Sequence, residues 1–249
     1  MDAVVLAGGS PDDPLAQRYG VASKTLVPVR GRPLVEFTLE ALRATPEVDR
    51  IVYVGPVPAQ GLAPAPDAVL PDQGSLLANL ESGLAEAQST RVVVASGDNP
   101  FITPEAVRDV LERAPKEAAL VYPIVPKAAV ERRWPGMRRT YARLREGTFT
   151  GGNLIVLDKA LFERALPMAR KIIALRKRPF ALAGVVGWGL LFRLLLGRLG
   201  IADVERRAEQ LFHMPMSALV SEHPEIGVDA DSEEDLRWFE GEVHGANGS

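Results

Sequence analysis

The chain has 249 residues, 47% of them hydrophobic, an ordinary share for a soluble globular protein and enough to build a full core. Its formal net charge of −3 gives no sign of a nucleic-acid-binding surface, and the absence of cysteine excludes disulfides, thiolate metal sites and cysteine nucleophiles. The three histidines, His213, His223 and His244, lie late in the chain without metal-ligand spacing, and the start shows no basic stretch leading into an apolar one, so a cytoplasmic location is expected.

Residues 2–7 read as a buried strand that ends in Gly8 and Gly9. Glycine lets backbone N–H groups come close to a ligand, and such a loop can cradle phosphates, with Arg18 and Lys24 adding positive charge. The Gly-Gly pair alone equally suits an ordinary strand-to-helix turn. The loop from Gly8 to Ser23 is long and polar, and loops of that length in a domain tend to be functional or mobile. Residues 26–29 are extended, and Gly31-Arg32-Pro33 turns into a helix over about 33–45 with Pro33 at its first position. A second buried strand follows at 50–55, and this strand-loop-helix-strand order predicts a doubly wound parallel sheet. A short strand is expected at 68–70. A helix then opens after Asp72-Gln73-Gly74-Ser75, capped by Ser75 or Asp72. Its N-terminus is either a plain cap or a polar contact for a ligand.

Residues 91–98 form the strongest strand signal, which ends in Gly97-Asp98-Asn99-Pro100. Asp98 thus sits at a strand's carboxyl end, where open α/β sheets bind ligands, although a turn-forming aspartate would look the same. Thr103 and Pro104 mark a helix cap and first turn. A strand over 118–125 precedes a basic excursion at 127–147, with a short strand near 140–144; its seven Lys and Arg suit a solvated face or an anionic acceptor site. Gly151-Gly152-Asn153 turns into a strand at 154–157, and a helix covers 159–170. Residues 170–178 are basic, and 179–192 carry no charge. That run is too short to cross a bilayer comfortably and apolar on most faces. Burial in the core or a homodimer contact is the first reading of it, and a helix lying on a membrane the second. A charged helix is expected at 203–212 and a last short strand at 225–229. Asp231 then precedes a capping-box pattern at Ser232–Asp235 and a final helix to about 243, with a frayed tail after it.

Three features converge: the Gly-rich loop with its Arg and Lys, Asp98 at a strand end, and Asp229 with Asp231 before the last helix. Carboxylates far apart in sequence can share one Mg²⁺, which prefers oxygen ligands and substrate phosphates. Leu6-Ala7-Gly8-Gly9, then Arg18-Tyr19-Gly20 and Lys24, resembles the L-A-G-G…R-M-G…K signature of the MobA-like nucleotidyltransferases, which include molybdenum cofactor guanylyltransferases and cytidylyltransferases of isoprenoid synthesis. Gly31-Arg32-Pro33-Leu34 resembles the family's G-K-P-L, Gly97-Asp98-Asn99-Pro100 its G-D-x-P, Gly152-Asn153 its G-N turn, and residues 231–236 its D-T-P-E-D-L. Tyr19 stands where the family has Met, the Gly9–Arg18 stretch is longer than usual, and the insertion at about 171–210 has no counterpart in compact members.

The resemblance implies a single α/β domain over 1–249, with a doubly wound, mostly parallel sheet of the nucleotide-diphospho-sugar transferase type. It implies Mg²⁺-dependent transfer of a nucleoside monophosphate from an NTP, GTP or CTP first, to a phosphorylated small molecule. The backbone of Leu6, Ala7, Gly8 and Gly9 would contact base and ribose, with Gly74, Ser75 and Asn79 near the base. Arg18 and Lys24 would bind the triphosphate; Asp98 with Asp229 or Asp231 would hold the metal; Gly152 and Asn153 would face the acceptor. Two rivals stay open: a glycosyltransferase of similar fold, and a nucleotide-binding protein without turnover.

Overall fold

The structure is a computed structural model and describes residues 1–10, 12–175 and 178–246. Its first half alternates strands and helices: β1 (Asp2–Leu6), α1 (Pro14–Tyr19), the short pair β2 (Pro28–Val29) and β3 (Arg32–Pro33), α2 (Leu34–Arg43), β4 (Arg50–Val54), β5 (Ala68–Leu70), α3 (Leu76–Glu86), β6 (Arg91–Ser96) and α4 (Pro104–Arg113). The second half comprises β7 (Leu120–Pro126), α5 (Lys127–Arg133), β8 (Ala142–Leu144), β9 (Gly147–Gly151), β10 (Leu154–Asp158), α6 (Lys159–Leu175), α7 (Pro179–Val186), α8 (Trp188–Leu195), α9 (Ile201–Phe212), β11 (Met216–Val220) and α10 (Glu233–Ala246). Among the described residues, nine strands form one sheet in the order β5-β4-β1-β6-β10-β7-β9-β8, with β11 also pairing β7. The core quartet β5-β4-β1-β6 is parallel throughout, while β10 runs antiparallel between β6 and β7.

The apolar run of β1 is continuous because both faces of that strand are covered. Ala3 and Val5 face a cluster that includes Leu34, Leu39 and Leu42 of α2, Val107 and Val110 of α4, and Leu236 and Phe239 of α10. Val4, Val52, Val54 and Val94 face the opposite way, onto Leu84 of α3 and Leu161, Phe162 and Ala165 of α6. This two-sided covering is the doubly wound arrangement expected from the order of elements. At the close approach of α3 to β1, a Cβ on Gly83 would lie 2.4 Å from Val4 Cγ1.

Several expectations are corrected. The loop after Gly9 contains α1, which starts because Asp13 Oδ1 accepts from Leu15 N at 2.9 Å and Ala16 N at 3.1 Å. Pro33 is the residue before α2 rather than its first, and α2 ends at Arg43. The segment expected as a strand at 225–229 forms a 3-10 turn over Pro224–Gly227. Ile226 and Val228 are buried as a strand would bury them. The carbonyls of Glu225 and Ile226 bond to loops instead: Asn99 Nδ2 donates to Glu225 O at 2.9 Å and Asn153 N to Ile226 O at 2.8 Å. The last strand is β11, parallel to β7. The helix after β10 continues to Leu175. The uncharged run is two short helices broken at Gly187, whose φ of 115° disfavours any side chain. Nothing on α8 is buried. Of the basic stretch at 170–178, Arg176 and Lys177 lie outside the described residues, as do 247–249 of the tail.

Gly83→Ala is expected to lose about 1–3 kcal/mol through overpacking against Val4, despite the better helix propensity of alanine. Gly241→Ala, whose Cβ meets nothing among the described residues, is expected to gain up to about 1 kcal/mol. Urea midpoints of the two variants check both signs, and a stabilised Gly83→Ala would contradict the α3–β1 packing.

Candidate active site

The site begins where β1 ends. Gly97 N donates to Leu6 O at 2.9 Å and Ala7 N to Val54 O at 2.8 Å, so the neighbouring strand ends fix the first residues of the loop. The Ala7 carbonyl then accepts from two hydroxyls, Ser23 Oγ and Thr25 Oγ1, each at 3.0 Å. These bonds fold the long loop back over the strand end, and Lys24 lies between the two hydroxyl residues in a 3-10 turn. Ser23, Thr25 and their bonds are buried. Lys24 is therefore anchored on both sides to the strand that opens the chain.

A second wall is built on Asp72. Its carboxylate accepts from Gly9 N at 3.1 Å, Gly74 N at 2.9 Å and Asn79 Nδ2 at 2.9 Å. Burial raises the Asp72 pKa, but these hydrogen bonds outweigh it and hold the carboxyl below its ordinary value. Asn79 Oδ1 accepts from Gln73 N at 2.6 Å, and Ser75 caps α3 by accepting from Ala78 N at 3.2 Å. Asp72 thus ties Gly74 and Asn79 to Gly9, while Ser75 serves as the cap of α3. A Cβ on Gly8 would lie 2.1 Å from Asn79 Nδ2, so this contact requires glycine.

The floor is acidic. Asp98 follows β6, and Ala230 N donates to Asp98 O at 2.9 Å, which ties the segment carrying Asp229 and Asp231 to the same strand end. Each of the three carboxylates offers an oxygen within 4.8 Å of the other two. Lys24 Nζ lies 2.6 Å from Asp98 Oδ2 and also bonds Asp231 Oδ1. Burial opposes the Lys24 charge, but Asp98 and Asp231 outweigh it and hold the ammonium above its ordinary pKa. Ser96 Oγ bonds the other oxygen of Asp98. Asp229 is pushed up to about 6, first by burial and then by the charges of Asp231 and Asp98, against the pull of Arg139 and Lys24. Arg139 donates to Asp229 Oδ1 at 2.9 Å, Asp229 O at 2.6 Å and Asp235 Oδ1 at 3.0 Å.

Gly152 and Asn153 join this region through backbone: Gly152 N donates to Pro123 O at 2.9 Å, and Ser96 N to Asn153 O at 2.9 Å. A Cβ on Gly152 would lie 2.8 Å from Ile226 Cγ2, so packing alone accounts for that glycine. Arg18 is exposed at the end of α1 and pairs with Glu233 in the first turn of α10, at the rim rather than in the acidic floor. Sequence reasoning missed Arg139, one of seven basic residues with nothing local to separate it from the rest, and saw Asp72 only as a helix cap. Ser96, Ser23 and Thr25 were also missed. The alternation of hydroxyls around Lys24 was the available signal.

The model of the MobA-like NTP transferase domain matches residues 3–177. The chain belongs to that family. This MobA-like protein is 59% identical to a hypothetical transferase from Thermus thermophilus, over 94% of this chain and 98% of that one, with a TM-score of 0.88. A nucleotidyl transferase from Methanothermobacter thermautotrophicus shares the fold at 16% identity and a TM-score of 0.58, covering 99% of this chain and 98% of that one. The 2-C-methyl-D-erythritol 4-phosphate cytidylyltransferase of Thermus thermophilus does so at 18% identity and a TM-score of 0.56, covering 98% and 100%. The search of curated proteins finds no match. The MobA-like chain is a nucleotidyltransferase with the nucleotide-diphospho-sugar transferase fold.

In this MobA-like fold Arg139 carries two carboxylates on one buried guanidinium. Removing one partner of a buried ion pair leaves the other charge desolvated and unpaired, so Arg139→Ala is expected to cost about 3 kcal/mol. A thermal midpoint within a degree or two of the parent would show that Asp229 and Asp235 do not depend on it.

Proposed function

We propose that the chain moves a nucleoside monophosphate from an NTP to a phosphorylated small-molecule acceptor and releases pyrophosphate, with Mg²⁺ bound by Asp98, Asp229 and Asp231. The observation that carries this reading is the Lys24 ammonium held between Asp98 and Asp231, on a turn whose Ser23 and Thr25 bond the Ala7 carbonyl. Three carboxylates this close form an all-oxygen donor set that suits Mg²⁺, and Lys24 already bonds two of them as a cation would. Bound there, Mg²⁺ would neutralise triphosphate charge. We treat residues 1–249 as one domain acting on soluble substrates, with no nucleic-acid partner.

In this reading an oxygen of the acceptor phosphate attacks the α-phosphorus in line. The new phosphorus–oxygen bond forms as the bond to the bridging oxygen breaks, and that electron pair leaves with pyrophosphate. Lys24 turns from the carboxylates toward the phosphate oxygens and stabilises the charge that builds on them. Ser96 keeps Asp98 oriented through its second oxygen. The Asp72 hub fixes Gly9, Gly74 and Asn79 as the wall against which base and ribose rest, so Asn79 shapes that wall with an amide already engaged. Arg18 guards the rim, where it can exchange Glu233 for the outer phosphates. Gly152 and Asn153 lie on the β6 side, where the acceptor would enter. GTP and CTP are the first donors to test, and the cytidylyltransferase likeness of the fold favours CTP.

Asp98→Ala should lower turnover by about 10²-fold or more while the circular dichroism spectrum stays unchanged. Chelation should abolish pyrophosphate release and added Mg²⁺ restore it. Near-normal release by Asp98→Ala from each of the four NTPs, with phosphorylated acceptors present, would remove Asp98 from the reaction. The lysine gives a separate check. Lys24→Ala should depress kcat more than it raises the nucleotide KM, because its ammonium is proposed to act where charge develops. An effect confined to KM would make it a binding residue only.

A further inference from the structure

α8 presents its apolar side chains outward. Phe192, Leu195 and Leu196 are 60%, 72% and 67% exposed, and Trp188 is half exposed. The positions 188, 192, 195 and 196 follow i, i+4, i+7, i+8 spacing, which makes one stripe on one helix face. Leu190, Leu191 and Leu194 are less exposed, and α8 leans on α7 and β8. The hairpin is held in that pose. Arg207 of α9 donates to Val186 O at 2.6 Å and Val185 O at 3.0 Å, closing the end of α7, and Arg193 donates to Asp203 at 2.6 Å.

Charge decides what this stripe suits. Residues 164–202 hold eight of the chain's Lys and Arg and none of its 32 Asp and Glu, in a protein whose net charge is −3. Lys171, Arg178 and Arg198 are exposed around the hairpin. A second copy placed on the stripe across a two-fold axis would bring this acid-free stretch against itself. Among the described residues the stripe exposes four large side chains, whereas a standard interface needs about 800 Å² from each partner. An anionic bilayer surface offers the opposite charge to the basic residues and an acyl boundary to the stripe. Among the described residues no helix is long and apolar enough to cross a membrane, which fits a shallow seat and not a span.

We infer that the α7–α8 hairpin is a peripheral docking surface for an anionic lipid bilayer. Phe192, Leu195 and Leu196 enter the headgroup–acyl boundary, and the exposed Lys171, Arg178 and Arg198 face the lipid phosphates. This inference does not rest on the proposed reaction, and its test is made without substrates. The full chain is floated with vesicles of equimolar phosphatidylglycerol and phosphatidylcholine, and with phosphatidylcholine alone, at low and raised salt. The chain should float with the anionic vesicles, remain behind with the neutral ones, and lose binding as salt rises. Leu195→Glu should weaken partitioning by about tenfold or more and Arg198→Ala by about fivefold, both with unchanged circular dichroism. Absence of flotation with anionic vesicles at low salt would overturn the inference, as would equal binding to neutral vesicles or binding that Leu195→Glu leaves intact. A solution dimer that Leu195→Glu dissociates would also overturn it and assign the stripe to a second copy.

Discussion

The structure around the site depends on neutralising three carboxylates that crowd within 4.8 Å of one another. Burial, and then the charges of Asp231 and Asp98, push the Asp229 carboxyl up to about 6. Two cations relieve the crowding. Lys24 serves Asp98 and Asp231, and Arg139 serves Asp229 together with Asp235. The two differ in what they can do next. Arg139 is a planar fork locked to two carboxylates and a carbonyl, so it holds the segment before α10 in place. Lys24 is a single ammonium on a flexible stem, hydrogen-bonded only at its tip, and can move to another anion without unfolding the loop that carries it.

That loop explains the length of the stretch from Gly9 to Lys24. Its Lys24 end is fixed by the Ala7 carbonyl, which takes both the Ser23 and the Thr25 hydroxyl, and its Gly9 end by the Asp72 carboxylate. The intervening residues make α1 and place Arg18 against Glu233. A loop anchored at one strand end and touching the start of the last helix joins the first and last elements around the acidic floor. The fold thereby brings together residues more than two hundred positions apart, with the parallel quartet as the rigid platform beneath them.

Much of this was legible in the sequence. The Gly-Gly strand end, the Gly97-Asp98 strand end and the pattern at Ser232–Asp235 are local signals, set by turn geometry and capping, and the structure places all of them near Lys24 or the acidic floor. The final strand was not legible for the opposite reason. β11 is partly exposed at every residue, so it shows no period-two pattern, while Ile226 and Val228 show that pattern without belonging to a strand. Burial created the signal, but hydrogen bonding decided the structure: Asn99 and Asn153 take the carbonyls that a neighbouring strand would have used. Arg139 was hidden similarly. Its significance lies in partners 90 and 96 positions away, which no window of sequence contains.

The same distinction between local pattern and long-range partner applies to the uncharged run at 179–192. Read alone, it asks for burial on most sides. The structure gives it a break at Gly187 and support from Arg207 and β8, but covers only the inner side of its second helix. Burying the remaining stripe inside the chain would require another layer over β8, and β8 is itself the last strand on that side of the sheet. Among the described residues, the apolar side chains therefore stand at an edge with no further element to cover them. Their charge surroundings then become decisive, because the exposed Lys171, Arg178 and Arg198 are repelled by a copy of themselves and attracted by a negative surface. The acidic floor and the basic hairpin thus separate the chain's charges into two regions. One meets its counter-charges within the chain, through Lys24 and Arg139, while in the other Arg193 pairs with Asp203 and Lys171, Arg178 and Arg198 stand exposed.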